Sequence, residues 1–146
     1  MAELVVVRQN IDLETEFLAR FEGETGLTPV EDIRDITPYG MLLAGLGSCS
    51  AVLVNTYARH HGIPLEESEF SVEYERSFKE DCERCEEAQS FDEQIKMAVR
   101  FKGKLDEAQL EKLFKISLQC PVHKLLAGGI KVQSRLEKTK TITTVS

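Results

Sequence analysis

Between Ile36 and Ala58 the chain carries no charged side chain, and this stretch limits the possible folds more than any other feature. Thr37-Pro38 opens it as a helix opens: a Thr cap accepts a hydrogen bond from an orphan amide, and Pro at the first helical position has no amide to orphan. Gly62 and Pro64 stop the pattern, so a helix is predicted from Pro38 to Arg59 or His61. His60-His61 would complement the negative end of its dipole. The stretch is long enough to raise the question of a membrane span. Gly40, Gly45, Gly47, Ser48, Ser50, Asn55 and Thr56 break its apolar surface, which predicts instead the buried helix of a soluble protein. Its apolar residues fall almost all round, so burial on most sides is expected, and in a chain this short that points to a partner subunit.

Strands surround this helix in the sequence. Leu4 to Arg8 and Thr15 to Phe21 read as an N-terminal hairpin. Phe70, Val72, Tyr74 and Phe78 alternate with polar residues, as do Phe91, Ile95, Met97, Val99 and Phe101, so the two segments read as paired antiparallel strands. Arg76 and Glu93 are the exceptions on their apolar faces. The charged connection from Lys79 to Ser90 reads as a solvated loop. Asp106 can cap a second helix, and Cys120-Pro121 starts a short third one that Gly128-Gly129 ends. Ile130 to Glu137 alternates again and predicts a last strand. Strands, long helix, strands, helices, strand is an α+β order in one domain spanning residues 1–146.

Charge restricts the partners. With 25 acidic against 18 basic residues the chain carries a formal charge of −7, which opposes phosphate binding, so no nucleic-acid partner is expected. The first residues lack the features of a signal peptide, and a cytoplasmic location without membrane association is expected. In that setting the four cysteines argue for redox or metal chemistry over a structural disulfide framework.

Cys49 lies about three turns into the long helix, among Gly45, Gly47, Ser48 and Ser50, which let another backbone or a substrate approach. Cys120 stands at the start of a helix, where the positive end of the dipole favours a thiolate. A buried, inert Cys49 and a spacer Cys120 are the bland alternatives. His123 could share the face of Cys120 or sit at the surface.

The run from Thr37 to Cys49, Thr-Pro-Tyr-Gly-Met-Leu-Leu-Ala-Gly-Leu-Gly-Ser-Cys, resembles the first cysteine motif of the OsmC/Ohr family, osmotically inducible protein C and organic hydroperoxide resistance protein. Cys120-Pro121-Val122 resembles its second. The resemblance implies an OsmC-like fold of antiparallel sheets packed around a long central helix, in an intertwined homodimer. It implies a thiol peroxidase acting on organic hydroperoxides, in which Cys49 becomes a sulfenic acid and Cys120 resolves it as a disulfide. A small dithiol or lipoyl protein would be the reductant, and no cofactor or metal is expected at the reacting sulfurs. The family also places an arginine beside the reactive cysteine and a glutamate that holds it. Arg34 is the first candidate for that arginine and Arg20 the second. Tyr39 and Gly40 offer no carboxylate where branches of the family carry one, and Glu31, Asp32 or Asp35 could replace it.

Cys82-Glu83-Arg84-Cys85 lies outside that pattern. Its spacing suits half of a zinc site, and with Cys120 and His123 it would make a set of three thiolates and one imidazole. A metal-binding or redox-sensing module is therefore the rival reading. A relative that binds small molecules without turnover is another.

Overall fold

In the computed structural model the described residues are 2–21, 23–78 and 91–137. The predicted hairpin is present as β1 (Ala2–Asn10) and β2 (Thr15–Arg20). A two-residue β3 (Thr28–Pro29) and a single 3-10 turn (Ile33–Asp35) lead into helix α1 (Pro38–His60). Strands β4 (Leu65–Phe78) and β5 (Phe91–Gly103) follow, then α2 (Glu107–Ser117) and α3 (Pro121–Gly128). All strand pairs are antiparallel, in the order β3-β2-β1-β4-β5. This is the α+β arrangement expected.

Register explains the core. Val5 stands opposite Ala19 on β2 and Val72 on β4, and Val7 opposite Phe17 and Phe70. Side chains alternate between sheet faces, so these residues share the face covered by α1. Val5, Val7, Ala19, Phe70 and Val72 are fully buried there with Leu43, Val54 and Leu113. Each large member contributes about 1.5–3 kcal/mol by leaving water. Gly47 lets α1 approach this closely: a Cβ there would stand 2.7 Å from Cγ2 of Val7.

A buried polar contact sets the rotation of α1. Asn55 directs its amide nitrogen at Oγ of Ser68 (2.8 Å), the carbonyl of Ala51 (3.0 Å) and Oε1 of Gln9 (3.2 Å). Asn55 and Ser68 are inaccessible to solvent and Gln9 nearly so, where an unpaired amide would be costly. With one side of the helix tied to β1 and β4, Cys49 is turned away from the sheet.

One expectation is corrected and one is met in part. Helix α1 is long and apolar enough to cross a membrane by length and composition, and within the chain it is buried against the sheet and part of α2 and α3. Met41, Leu42 and Val52 on its outer side remain 39–40% exposed, because α2 and α3 cover only part of that side. Residues 130–137 form no strand. Ile130, Val132 and Leu136 are 62%, 79% and 93% exposed: alternation alone orders no strand without an edge to pair with.

Candidate active site

Cys49 is half-buried on the outer side of α1, and Cys120 is fully buried immediately before α3. Folding brings the two thiols into hydrogen-bonding contact, and the backbone N–H of Val122 donates to Sγ of Cys49. The Val122 amide at the start of α3 therefore serves Cys49, not the cysteine beside it in sequence. Cys120 caps the helix with its backbone only. Burial pushes the Cys49 thiol above its ordinary range, and the hydrogen bond with Cys120 adds to this, while the Val122 amide pulls the other way.

No cation acts on Cys49 among the described residues, and neither candidate arginine reaches it. Arg34 is 86% exposed, and its Nε and Nη2 bind the two oxygens of Asp32 at 3.0 and 2.8 Å. Asp32 is committed locally as well, since it caps the 3-10 turn through the Arg34 amide at 2.8 Å. The fork of Arg34 thus closes on its own loop, which lowers the Asp32 pKa and raises that of Arg34. Arg20 pairs with Leu4 across β1 and β2. Alternation puts it on the sheet face opposite to α1.

A carboxylate from β1 lies at the start of α1, bonded to its cap and, among the described residues, not to an arginine. Glu3 is 5% exposed and accepts from Oγ1 of Thr37 at 2.8 Å (Oε1) and 2.6 Å (Oε2). That hydroxyl in turn accepts from the Gly40 amide at 3.1 Å. Gly40 makes the room, because a Cβ would stand 2.7 Å from Oε1 of Glu3. Glu31, Asp32 and Asp35 do not take this place. The sequence held one signal for Glu3: it shares the period-two face of Val5 and Val7.

A cavity of about 570 Å³, lined by neither Cys49 nor Cys120, lies between α1, α2, α3 and strands β4 and β5. Leu42, Leu46, Ile95, Met97, Phe114 and Leu126 give it apolar walls. Leu46 precedes Cys49 by one turn, and His123, which follows Cys120 in α3, lines the same space. At the far end Tyr39 stacks on Tyr74 with ring centres 4.6 Å apart. The Tyr74 hydroxyl donates to Glu93 at 2.8 Å. Burial, then the bond to Glu93, raises the Tyr74 pKa well above the phenol range.

Among the described residues no group of three or more His, Cys, Asp or Glu is placed to hold a metal ion. Cys82 and Cys85 lie outside the described residues.

Comparison with known proteins identifies the fold. The chain aligns over 96% of its length, and 96% of the other, with an OsmC-like hydroperoxide resistance protein from Jannaschia sp. CCS1, at a TM-score of 0.64 and 10% identity. An OsmC-like protein from Mycoplasma pneumoniae aligns over 84% of this chain and 86% of its own at 0.50 and 19% identity. An organic hydroperoxide resistance protein from Elizabethkingia anophelis aligns over 80% and 84% at 0.51 and 14% identity. At such identities the likeness is one of fold. No curated protein matches the chain. The family model described as OsmC-like protein matches residues 30–135, a span holding both cysteine motifs, and the chain belongs to that family.

Proposed function

We infer that this protein is a cysteine peroxidase that reduces organic hydroperoxides, with Cys49 as the attacking thiol and Cys120 as the resolving one. One observation carries the reading: thiols far apart in sequence are in contact, with a backbone amide aimed at the more accessible of them. Family membership supports it, as does the hydroperoxide resistance for which the Jannaschia and Elizabethkingia proteins are named.

The Cys49 thiolate attacks one peroxide oxygen. The S–O bond forms as the O–O bond breaks, and the alkoxide leaves and takes up a proton as the alcohol. Cys49 is then a sulfenic acid, two electrons more oxidised. The Cys120 thiolate attacks that sulfur, the S–S bond forms, the S–O bond breaks, and hydroxide leaves as water. A dithiol, such as a lipoyl protein, restores both thiols by exchange and ends as a disulfide. The Val122 amide stabilises the anionic sulfur that opens the cycle, and the apolar cavity accepts the organic group. A reducing, cytoplasmic setting fits this chemistry.

A homodimer completes this reading. The uncovered Met41, Leu42 and Val52, and the exposed alternating residues after α3, supply apolar surface for a second copy. Strand β5 lies at an edge of the sheet. Light scattering should give twice the chain mass.

A second reading, a binder of small molecules without turnover, draws on the raised Cys49 thiol with no cation among the groups acting on it. One experiment decides between the two. Reduced protein mixed with cumene hydroperoxide should yield stoichiometric alcohol and a Cys49–Cys120 disulfide in peptide mass spectra. Thiols that survive the treatment would refute the peroxidase. Stoichiometric zinc, lost on Cys82→Ser, would favour the metal module.

A further inference from the structure

Folding leaves the two sulfurs unequal. Cys120 is inaccessible to solvent and belongs to the core with Leu43, Leu46 and Leu113, whereas Cys49 is half-buried and only packs against that core. Gly45, one turn before Cys49, is exposed, and a Cβ there would meet nothing within 4 Å. A route that brings a hydroperoxide to Cys49 brings a thiol to the same sulfur. Exchange between a thiol and a disulfide is a displacement at one sulfur, and its rate depends on which sulfur can be reached. An attack on Cys120 has to come from within the core, and an attack on Cys49 does not. One effect opposes this order. The Val122 amide favours negative charge on Cys49, which taken alone makes Cys49 the better leaving group and directs the attacker to Cys120. A hydrogen bond to a charged group changes a rate by about tenfold to a hundredfold, while a sulfur in the packed core is reached only through local unfolding, so access decides.

We propose that reduction of the Cys49–Cys120 disulfide begins on Cys49, and that Cys120, the leaving sulfur, then rejects reductants that carry a single thiol. The proposal rests on the peroxidase reading for the disulfide itself. The incoming thiolate bonds to Sγ of Cys49 as the S–S bond breaks, and the electron pair goes to Cys120, which takes up a proton. Cys120 stands against the Cys49 sulfur. Where the reductant has no second thiol, Cys120 attacks Cys49 again, expels the reductant as its thiolate and restores the disulfide. A dithiol escapes this return. Its second thiolate attacks its own sulfur in the mixed disulfide, a ring disulfide forms, and Cys49 leaves as a thiolate toward the Val122 amide. Two electrons pass from the dithiol to the protein, and Cys120 acts twice, as resolving thiol and as selector of the reductant.

The test starts from a disulfide made with diamide, so it does not depend on turnover of a peroxide. Mercaptoethanol is added, the mixture is quenched with acid within the first turnover, and free thiols are blocked with N-ethylmaleimide. Peptide mass spectra should place mercaptoethanol on Cys49 and maleimide on Cys120. Mercaptoethanol on Cys120 overturns the proposal. Where no disulfide or adduct accumulates, labelling rates decide: hydroxyethyl methanethiosulfonate should label Cys49 in Cys120→Ser at least about tenfold faster than Cys120 in Cys49→Ser, and equal or reversed rates overturn the order of attack. The Cys49 adduct made in this way should persist in Cys120→Ser and convert to the disulfide in the wild type. An adduct that persists in the wild type overturns the selecting role of Cys120. The peroxidase reading fails separately, since thiols that survive cumene hydroperoxide would remove it and leave these results in place.

Discussion

Oγ1 of Thr37 stands 2.6 Å from Oε2 of Glu3, so the residue that caps α1 is held by a carboxylate from the first strand. The start of the helix carrying Cys49 is thereby fastened to the sheet through a slot in which Gly40 has no side chain.

The first prediction follows from that slot. Gly40→Ala should destabilise by about 1–3 kcal/mol through overpacking, measured by urea unfolding. In a Glu3→Ala background the same substitution should cost less, since the closest atom is gone. A double-mutant cycle that shows simple additivity would refute the contact.

Asn55→Ala should lower stability by about 2–4 kcal/mol, because the loss leaves buried acceptors on β1 and β4 without their donor. The denaturant midpoint should fall with an unchanged slope.

The Cys49 thiol gives a prediction in pH. Its pKa in the folded protein lies above the ordinary value, so the native state binds that proton more tightly than the unfolded chain does. The resulting stability is complete below the ordinary thiol pKa and is lost as pH rises through the folded value. Unfolding free energies measured across this alkaline range should fall more steeply for the wild type than for Cys49→Ser.

Cys120→Ala removes a hydrogen bond and a charge interaction that both raise the Cys49 pKa. Iodoacetamide alkylation of Cys49, followed on its peptide by mass spectrometry, should then reach half-maximal rate at lower pH than in the wild type. A profile moved upward or left unchanged would contradict the contact between the thiols.

Arg34→Ala should leave the urea midpoint in place, as for other exposed pairs. It should leave the alkylation profile of Cys49 in place.

Much of this was readable in residue order, for local reasons. Thr37-Pro38, Asp106 and Cys120-Pro121 mark helix starts by the chemistry of capping, and the helices begin there. The alternations of β4 and β5 were visible because a strand repeats every two residues. The segment after α3 alternates too, yet no strand forms in it, since a strand requires an edge and not only a pattern. Cys49 and Cys120 stand out by their motifs, but their electrostatic surroundings do not. The helix dipole of α3 points to Cys120 in the sequence, whereas the Val122 amide acts on Cys49, and the Arg34 fork is taken up by Asp32.

By itself the sequence determined the order of the main elements through α3, the caps, the inward faces and the pair of cysteines, all consequences of forces acting over a few bonds or one repeat. Only the tertiary structure decided that the Val122 amide of α3 meets Cys49, that Glu3 reaches the start of α1, and that Tyr39, Tyr74 and Glu93 meet at one end of a cavity. Those contacts depend on distances between segments that the chain does not join locally, and such distances exist only once sheet register and the rotation of α1 are set.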